Sequence, residues 1–600
     1  VKMCARIVAA LALSVLGACR LSEPIASAPP APVPDQAAPT YKVHPELNAR
    51  PQQLIRLNRD ADVSWNTCQP EIIDTRAFPI QIQDIRALGR HRVKEILPPH
   101  RESDEEKAGR LEQQVPNALT AQITSFEQVA TLGNDFTGLD RTGWVPPDPT
   151  LAVGPNHVLV TVNQTLAWYT KSGTLQFSAV LGSQGNPGFF EGEGAGSFAF
   201  DPKCFYDADA GRFVIVVLEV YTNTAYIDIA VSDDSDPNGV WYKYRSDAVV
   251  TVNSDTFWWD YPGVGYDAHA YYVTGNLFGL NNSGFAGAGF RVFDKAPLLH
   301  GQPATFATLR SSDNSSVQAC QHFGDNPAAY FVTLGNGSRV RVIAITDPLT
   351  NPAIVQNAQL VPNWDNSPDA PVVGGGSLQV VGDRIMNCTW RNGKIWAAHT
   401  VGHAGVNKAR WYEIDCQSFP PLGPVAVLQS GEIDLGADVH TFFPAVYTND
   451  DGSAALVFGS SSSSQRVRMH VTGRRPSDPA GEMGAPALVR ESTASGSDGR
   501  WGDYYDLALD PADSTTFWAI GETDESGIGW DTRIASFTIA PVPACSPADL
   551  DGNGVLNIDD INTFAAAFVA ADLAADLDGN GVLNIDDINT FATAFIAGCP

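Results

Sequence analysis

The sequence predicts a mainly β protein followed by a small α-helical module, and three observations carry that reading. The chain has 600 residues with 53 Gly, 41 Pro and 13 Trp, a turn-rich composition. A β-hairpin pattern recurs roughly every 60 residues over most of its length. Near the C-terminus a 20-residue stretch appears twice with one change, Ala566 becoming Thr593. The length exceeds a single hydrophobic core, so at least two domains are expected.

The hairpin units run through residues 144–541. They are DPTLAVGPNHVLVTVN from Asp148, DPKCFYDADAGRFVIVVLE from Asp201, DYPGVGYDAHAYYVTGNLF from Asp260 and CQHFGDNPAAYFVTL from Cys320. RIMNCTWRNGKIWAAHT from Arg384, FPAVYTNDDGSAALVFGS from Phe443 and GDYYDLALDPADSTTFWAIGE from Gly502 complete the set. Each joins two β-rich runs through a turn of Asp, Asn or Gly. Seven such units at even spacing predict a seven-bladed β-propeller, in which every sheet buries its faces on its neighbours. A pair of β-sandwiches is the alternative, with even spacing harder to account for.

In this alignment Asp148, Asp201, Asp260 and Asp503 fall at the starts of innermost strands. Such strands line the central channel, so four carboxylates are expected to converge at one mouth and to bind a cation or a polyhydroxylated ligand. Arg500, Trp258, Trp259 and Trp501 lie beside them in sequence and suit stacking on sugar rings. The same Asp-Pro and Gly-Asp pairs also suit turn caps at blade junctions, and both readings stand at this point. No catalytic residue is assigned. Glu191, Glu193 and Glu219 form no spaced pair, Arg384, Arg391, Arg410 and Arg500 form no motif, and G-x-S-x-G, HExxH and phosphate-loop patterns are absent.

The segment SFEQVATLGNDFTGLDRTGWVPPDPTLAVGPNHVLVTVN, with RWGDYYDLALDPADSTTFWAIGE, resembles exported bacterial β-propeller proteins of distant sialidase-like type. The nearest counterpart of a sialidase Asp box is Thr448-Asn449-Asp450-Asp451-Gly452, which reaches Ala455 where the aromatic should stand. The resemblance therefore implies the fold and leaves enzymatic descent open.

The duplicated stretch places oxygen-bearing side chains at positions 1, 3, 5, 9 and 12 of a calcium loop, with Gly at position 6 and a backbone carbonyl at position 7. In the first copy these are Asp549, Asp551, Asn553, Asn557 and Asp560, with Val555 giving the carbonyl. The second copy supplies Asp576, Asp578, Asn580, Asn584 and Asp587, with Val582. Residues 545–600 resemble the type I dockerin module, which implies two calcium ions and a cohesin-like or other protein partner. Loop positions 10 and 11 are Ile558-Asp559 and Ile585-Asp586 where cohesin-binding dockerins carry a Ser-Thr type pair, so calcium binding carries over and cohesin recognition does not.

Residues 1–18 read as an export signal, with Lys2 and Arg6 ahead of an apolar run too short to span a membrane. Leu16-Gly17-Ala18-Cys19 resembles the bacterial lipobox, which implies lipidation of Cys19; an ordinary secretory signal is the alternative. Residues 19–43 form a Pro/Ala-rich tether. Residues 44–143 have no clear fold, although 84–97 and 103–115 read as helical. An exported lipoprotein of the outer membrane or cell surface is expected, or a secreted protein.

Cys545 and Cys599 bracket the calcium module and are expected to be bonded, since so small a module has little core. Cys68, Cys204, Cys320, Cys388 and Cys416 remain, an odd number whose pairing sequence does not settle. A net charge of −29 excludes nucleic acid, and excludes membrane surfaces apart from the N-terminal anchor. The resulting expectation is an exported propeller that binds a glycan or protein ligand. The alternatives are a polysaccharide-degrading glycoside hydrolase and a non-catalytic structural envelope protein.

Overall fold

The computed structural model describes residues 55–56, 63–78, 91–92, 98 and 129–598, apart from 141, 184–186, 282, 336–338, 418, 421–422, 437, 496–498, 526–528, 541–545 and 551–555. Two compact units separate by contact: one spans Pro45–Ile539 and the other contains Ala540–Pro600. Among the described residues, no helix is long and apolar enough to cross a membrane.

The larger unit is almost wholly antiparallel β-sheet in a propeller arrangement. Its strands are buried on both faces: Ala454–Ser462 and His440–Thr448 are buried at every position. Such strands read as continuous apolar or small-residue runs because each sheet is covered on both sides. The core clusters step around the unit from one meander to the next. One joins Ala152–Phe190 to Cys204–Trp241, the following one carries Phe205–Tyr244 onto Phe257–Phe306, and the series continues through Phe517 and Phe537. A further cluster returns from Trp518, Ile520 and Ile534 to Leu151, Val158 and Val160, which closes the ring.

The expectation of seven separate blades is corrected. Five sheets of four or five strands stand alone, and an eleven-stranded sheet holds the remaining meanders. The departure occurs at the Cys320 unit. Gln318–Ala319 pairs within its own sheet, but Gln321–Phe323 then leaves it and pairs in parallel with Thr389–Arg391, and Tyr266 bridges to Gln321. A strand that changes partners after two residues fuses the sheets on either side of it.

The boundary expected at residue 144 also moves. Ala130–Asp140 is the fourth strand of the last sheet, paired with Gly529–Ile539, so the segment leading into the first meander is clasped to the last one by main-chain bonds. Pro70–Asp74 and Ser64–Cys68 extend two other sheets at their outer edges. Within the stretch expected to be helical, His91–Arg92 pairs instead with Trp144–Val145; residues 103–115 lie outside the described residues, as do Cys19 and the tether.

Among its described residues the smaller unit has two α-helices, Ile558–Val569 and Ile585–Ala597, with a 3-10 turn at Leu573–Ala575 between them. Asn557 and Asn584 cap them, with Asp560 and Asp587 closing a capping box that satisfies the first free N–H groups. Phe564 and Phe591 stack at 4.3 Å between ring centroids and form the centre of the small core with Ala548, Ala575 and Ile588.

Candidate functional site

A short backbone device sets the geometry at the centre of the β unit. Asp148, Asp201, Tyr261 and Phe443 all adopt positive φ, at 51°, 45°, 54° and 50°. Each is followed by proline: Pro149, Pro202, Pro262 and Pro444. In three of the four strands the pairing register slips there, between Phe200 and Lys203, Asp260 and Gly263, and Phe442 and Ala445. Proline lacks an N–H and so loses nothing at a bulge, where the ladder is already broken. Positive φ is strained for residues such as these, and its repetition marks equivalent positions. By that criterion Tyr261, and not Asp260, is the counterpart of Asp148 and Asp201; Asp260 stands one residue earlier.

The four aspartates are nonetheless brought together. Every pair among Asp148, Asp201, Asp260 and Asp503 is close enough to interact electrostatically. Asn163 links two of them: its Nδ2 donates to Asp148 Oδ2 at 2.8 Å, while its Oδ1 accepts from the Asp201 N–H at 2.9 Å. Asp148 Oδ1 accepts from the Asp503 N–H at 2.7 Å, and Asp201 Oδ2 from the Tyr261 N–H at 3.2 Å. Three of the four are buried, and Asp260 is only partly so.

Cations are interleaved with these acids. Arg500 makes an ion pair with Asp503, and Arg384 lies over the Tyr261 ring at 4.6 Å from its centroid. Lys203 Nζ sits 2.9 Å from the centroid of the Tyr504 ring. The Tyr504 hydroxyl is buried and has no hydrogen-bond partner among the described residues.

Burial raises the proton affinity of the acids, and their mutual repulsion adds to it. Asp260 is pushed up to about 7, chiefly by burial, against the opposing pull of Arg384 and with help from Asp503 and Asp148. Asp148 rises well above the usual carboxylate range through burial, then through Asp503 and Asp201. Asp201 does so through burial, then through Asp260 and Asp503. Asp506 reaches about 6 by burial, held down by Lys203, while burial lowers Lys203 to about 8. Burial thus moves Asp260, Asp506 and Lys203 toward neutral pH, a pattern that clusters at working sites.

The tryptophans expected to stack on sugars do not serve that role. Trp259 and Trp501 are buried core residues, and Trp258 packs against Phe200 and Phe278. Arg500 donates to the Trp501 carbonyl at 3.1 Å besides facing Asp503. Sequence reasoning missed Asn163, Lys203, Tyr261 and Tyr504, and named Arg384 only as one of four arginines that no motif distinguishes. The repeated residue-proline pairs would have located Tyr261; nothing local signals Asn163, Lys203 or Tyr504.

In the smaller unit, carboxylate oxygens of Asp576, Asp578 and Asp587 lie within 4.8 Å of one another, the one such His/Cys/Asp/Glu group among the described residues. Asp576 accepts from the N–H groups of Asn580 and Gly581, at 3.1 and 2.7 Å, which folds the loop around it. Asp587 Oδ2 accepts from the Asn584 N–H at 2.9 Å, and Asn580 Oδ1 from the Val582 N–H at 2.8 Å. Three hard oxygen donors in a tight turn fit a divalent cation of the calcium type. In the first loop Asp560 accepts from the N–H groups of Leu550 and Asn557, both at 2.9 Å, and Asp549 is buried. Asp551, Asn553, Val555, Cys545 and Cys599 lie outside the described residues.

No family model matches the chain, and no curated protein matches it. Similar solved structures include the Hadza microbial sialidase Hz136, at 12% identity over 66% of this chain and 65% of that one, with a TM-score of 0.33. The α-L-arabinofuranosidase Arb93A from Fusarium graminearum aligns at 10% identity over 68% of this chain and 98% of that one, with a TM-score of 0.33. The Nup133 β-propeller domain from Vanderwaltozyma polyspora aligns at 6% identity over 68% and 97%, with a TM-score of 0.31. Similarity at this level leaves the chemistry to be read from the site itself.

Proposed function

We propose that the β unit acts on a glycan through the carboxyl groups gathered at Asp148, Asp201, Asp260 and Asp503, as a glycoside hydrolase. The observation that carries the reading is Asp260: a partly exposed acid pushed up to about 7, beside an aspartate that is ion-paired with arginine. Cleavage of a glycosidic bond needs one carboxyl held as the acid and another acting as the carboxylate. Here Asp260 is the proton donor, and Asp503, held by Arg500, is the second carboxyl group. Lys203, Arg384 and the unsatisfied Tyr504 hydroxyl lie buried beside these acids.

Binding without cleavage is the second reading, and the burial of Asp148, Asp201 and Asp503 favours it. A panel of plant, algal and bacterial glycans, scored for binding and for release of reducing ends, separates the two. Release that is lost in Asp260→Asn supports hydrolysis, binding without release supports the second reading, and neither one overturns both.

The C-terminal unit is proposed as a calcium-binding attachment module. Asp576, Asp578 and Asp587 would hold one ion with Asn580, the Val582 carbonyl and Asn584, and the first loop would hold another through its matching residues. Its attachment partner is a protein, and the export and Cys19 anchoring proposed from the N-terminal sequence would place it at the cell surface. Calcium titration of the full chain, monitored by calorimetry, tests the two-ion stoichiometry.

A further inference from the structure

Two of the five described cysteines are in contact. The Sγ atoms of Cys320 and Cys388 are 3.0 Å apart, and both side chains are buried. Their placement follows from the strand exchange that fuses the sheets. Gln321 is the register partner of Thr389 in a parallel pair, so the residues immediately before them, Cys320 and Cys388, stand side by side at its start. Neighbouring strands hold Cα atoms within the span that a disulfide bridges.

We propose that Cys320 and Cys388 form a disulfide that locks the partner-switching strand to the next meander. The alternative uses of a buried thiol pair are weak here. A metal would need a third ligand, and no group of three containing these cysteines exists among the described residues. Cys416 shares the same core cluster, but its Sγ is engaged by other groups: it accepts from Trp390 Nε1 at 3.2 Å and donates to the Gly393 carbonyl at 3.1 Å. Cys68 donates to the Ala304 carbonyl, and Cys204 contacts Thr150. Neither approaches another sulfur.

The step is a thiol–disulfide exchange. Each cysteine gives up its thiol proton, an S–S bond forms between them, and the two electrons and two protons pass to a disulfide oxidant that leaves as two thiols. Since Cys320 is fully buried in the folded chain, exchange accompanies folding. The bond closes a loop between positions 68 residues apart, long enough for the constraint on the unfolded chain to be felt.

The test uses the full chain produced in an oxidising compartment, denatured without reductant, alkylated and mapped by peptide mass spectrometry. The expected result is a linked Cys320–Cys388 peptide pair, two hydrogen atoms lighter than the separate peptides, with Cys68, Cys204 and Cys416 alkylated. Alkylation of both Cys320 and Cys388, or a link from either to Cys416, overturns the proposal. A second measurement does not require a variant to fold well: reductant should lower the thermal midpoint of the wild type, and should not shift that of the Cys320→Ser, Cys388→Ser double variant beyond the effect of its remaining cysteines. An equal shift in both proteins also overturns it.

Discussion

Removing the Asn163 side chain tests the centre of the site most economically, because that one amide holds two of the acids. Asn163→Ala deletes the donor to Asp148 Oδ2, the donor to the Pro146 carbonyl at 2.9 Å, and the acceptor of the Asp201 N–H. Asn163 is fully buried, so water does not replace these bonds without a cavity opening to it. Leaving a buried polar group unsatisfied costs about 1–3 kcal/mol each, so three groups together give about 3–9 kcal/mol. All 13 tryptophans precede residue 540, so tryptophan fluorescence reports the β unit alone during urea denaturation. The midpoint should fall by on the order of 1 M. Asn163→Asp, which keeps the shape but cannot donate, should lose most of the same stability at neutral pH and regain part of it in acid. A midpoint unchanged in Asn163→Ala would refute the reasoning, since the amide would then not be holding the cluster.

Stability should also depend on pH through the same acids. Asp260 is pushed up to about 7 from 3.8, so the folded chain binds more protons than the unfolded chain across that window and its stability falls as pH rises through it. Asp148, Asp201 and Glu522 are raised as well and act with the same sign. Buried His322, His399 and His470 are shifted down and act with the opposite sign at acidic pH, so the informative quantity is the difference between proteins. Below pH 7, Asp260→Asn should remove from the wild-type profile a fall of up to about 1.4 kcal/mol per pH unit; an identical profile in the variant contradicts the assignment. In the smaller unit, Phe591→Ala removes a ring stacked on Phe564 and should cost about 3–5 kcal/mol, enough to abolish the helical circular-dichroism signal of a unit with so small a core. Asp578→Asn should weaken calcium binding at the second loop while leaving the Asn584–Asp587 cap intact, which calorimetry and helical content report separately.

The hairpins and the convergence of the aspartates were legible because both depend on local pattern. Asp201-Pro202 marks the bulge inside Ala199–Asp207, Asp148-Pro149 stands just ahead of Thr150–Val153, and the apolar runs that follow announce the strands. The outer strands were not legible. Ser64–Cys68 is short and mostly exposed, and its partner Ala304 lies 236 residues from Cys68, so nothing in its own composition marks it as sheet. Ala130–Asp140 closes the ring by pairing with Gly529–Ile539, a pairing set by the closed geometry and not by either strand. The fusion at Gln321–Phe323 escaped for the same reason: three residues changed partners inside what reads as one hairpin. Within the site, Lys203 lies in the strand Ala199–Asp207 and Arg384 just ahead of the strand Ile385–Arg391, so they meet the acids only through the tertiary fold. The calcium loops are the opposite case, where ligand spacing is contained in twelve consecutive positions.

The central claim is that the gathered carboxyls act on a glycan, and a comparison of wild type with Asp260→Asn across pH tests it most directly. On any glycan that the wild type cleaves, the account predicts release of reducing ends that declines above about pH 7 as Asp260 loses its proton, and no release by Asp260→Asn at any pH, while the variant still binds the glycan. Undiminished release by Asp260→Asn, with the same pH profile, would contradict the account.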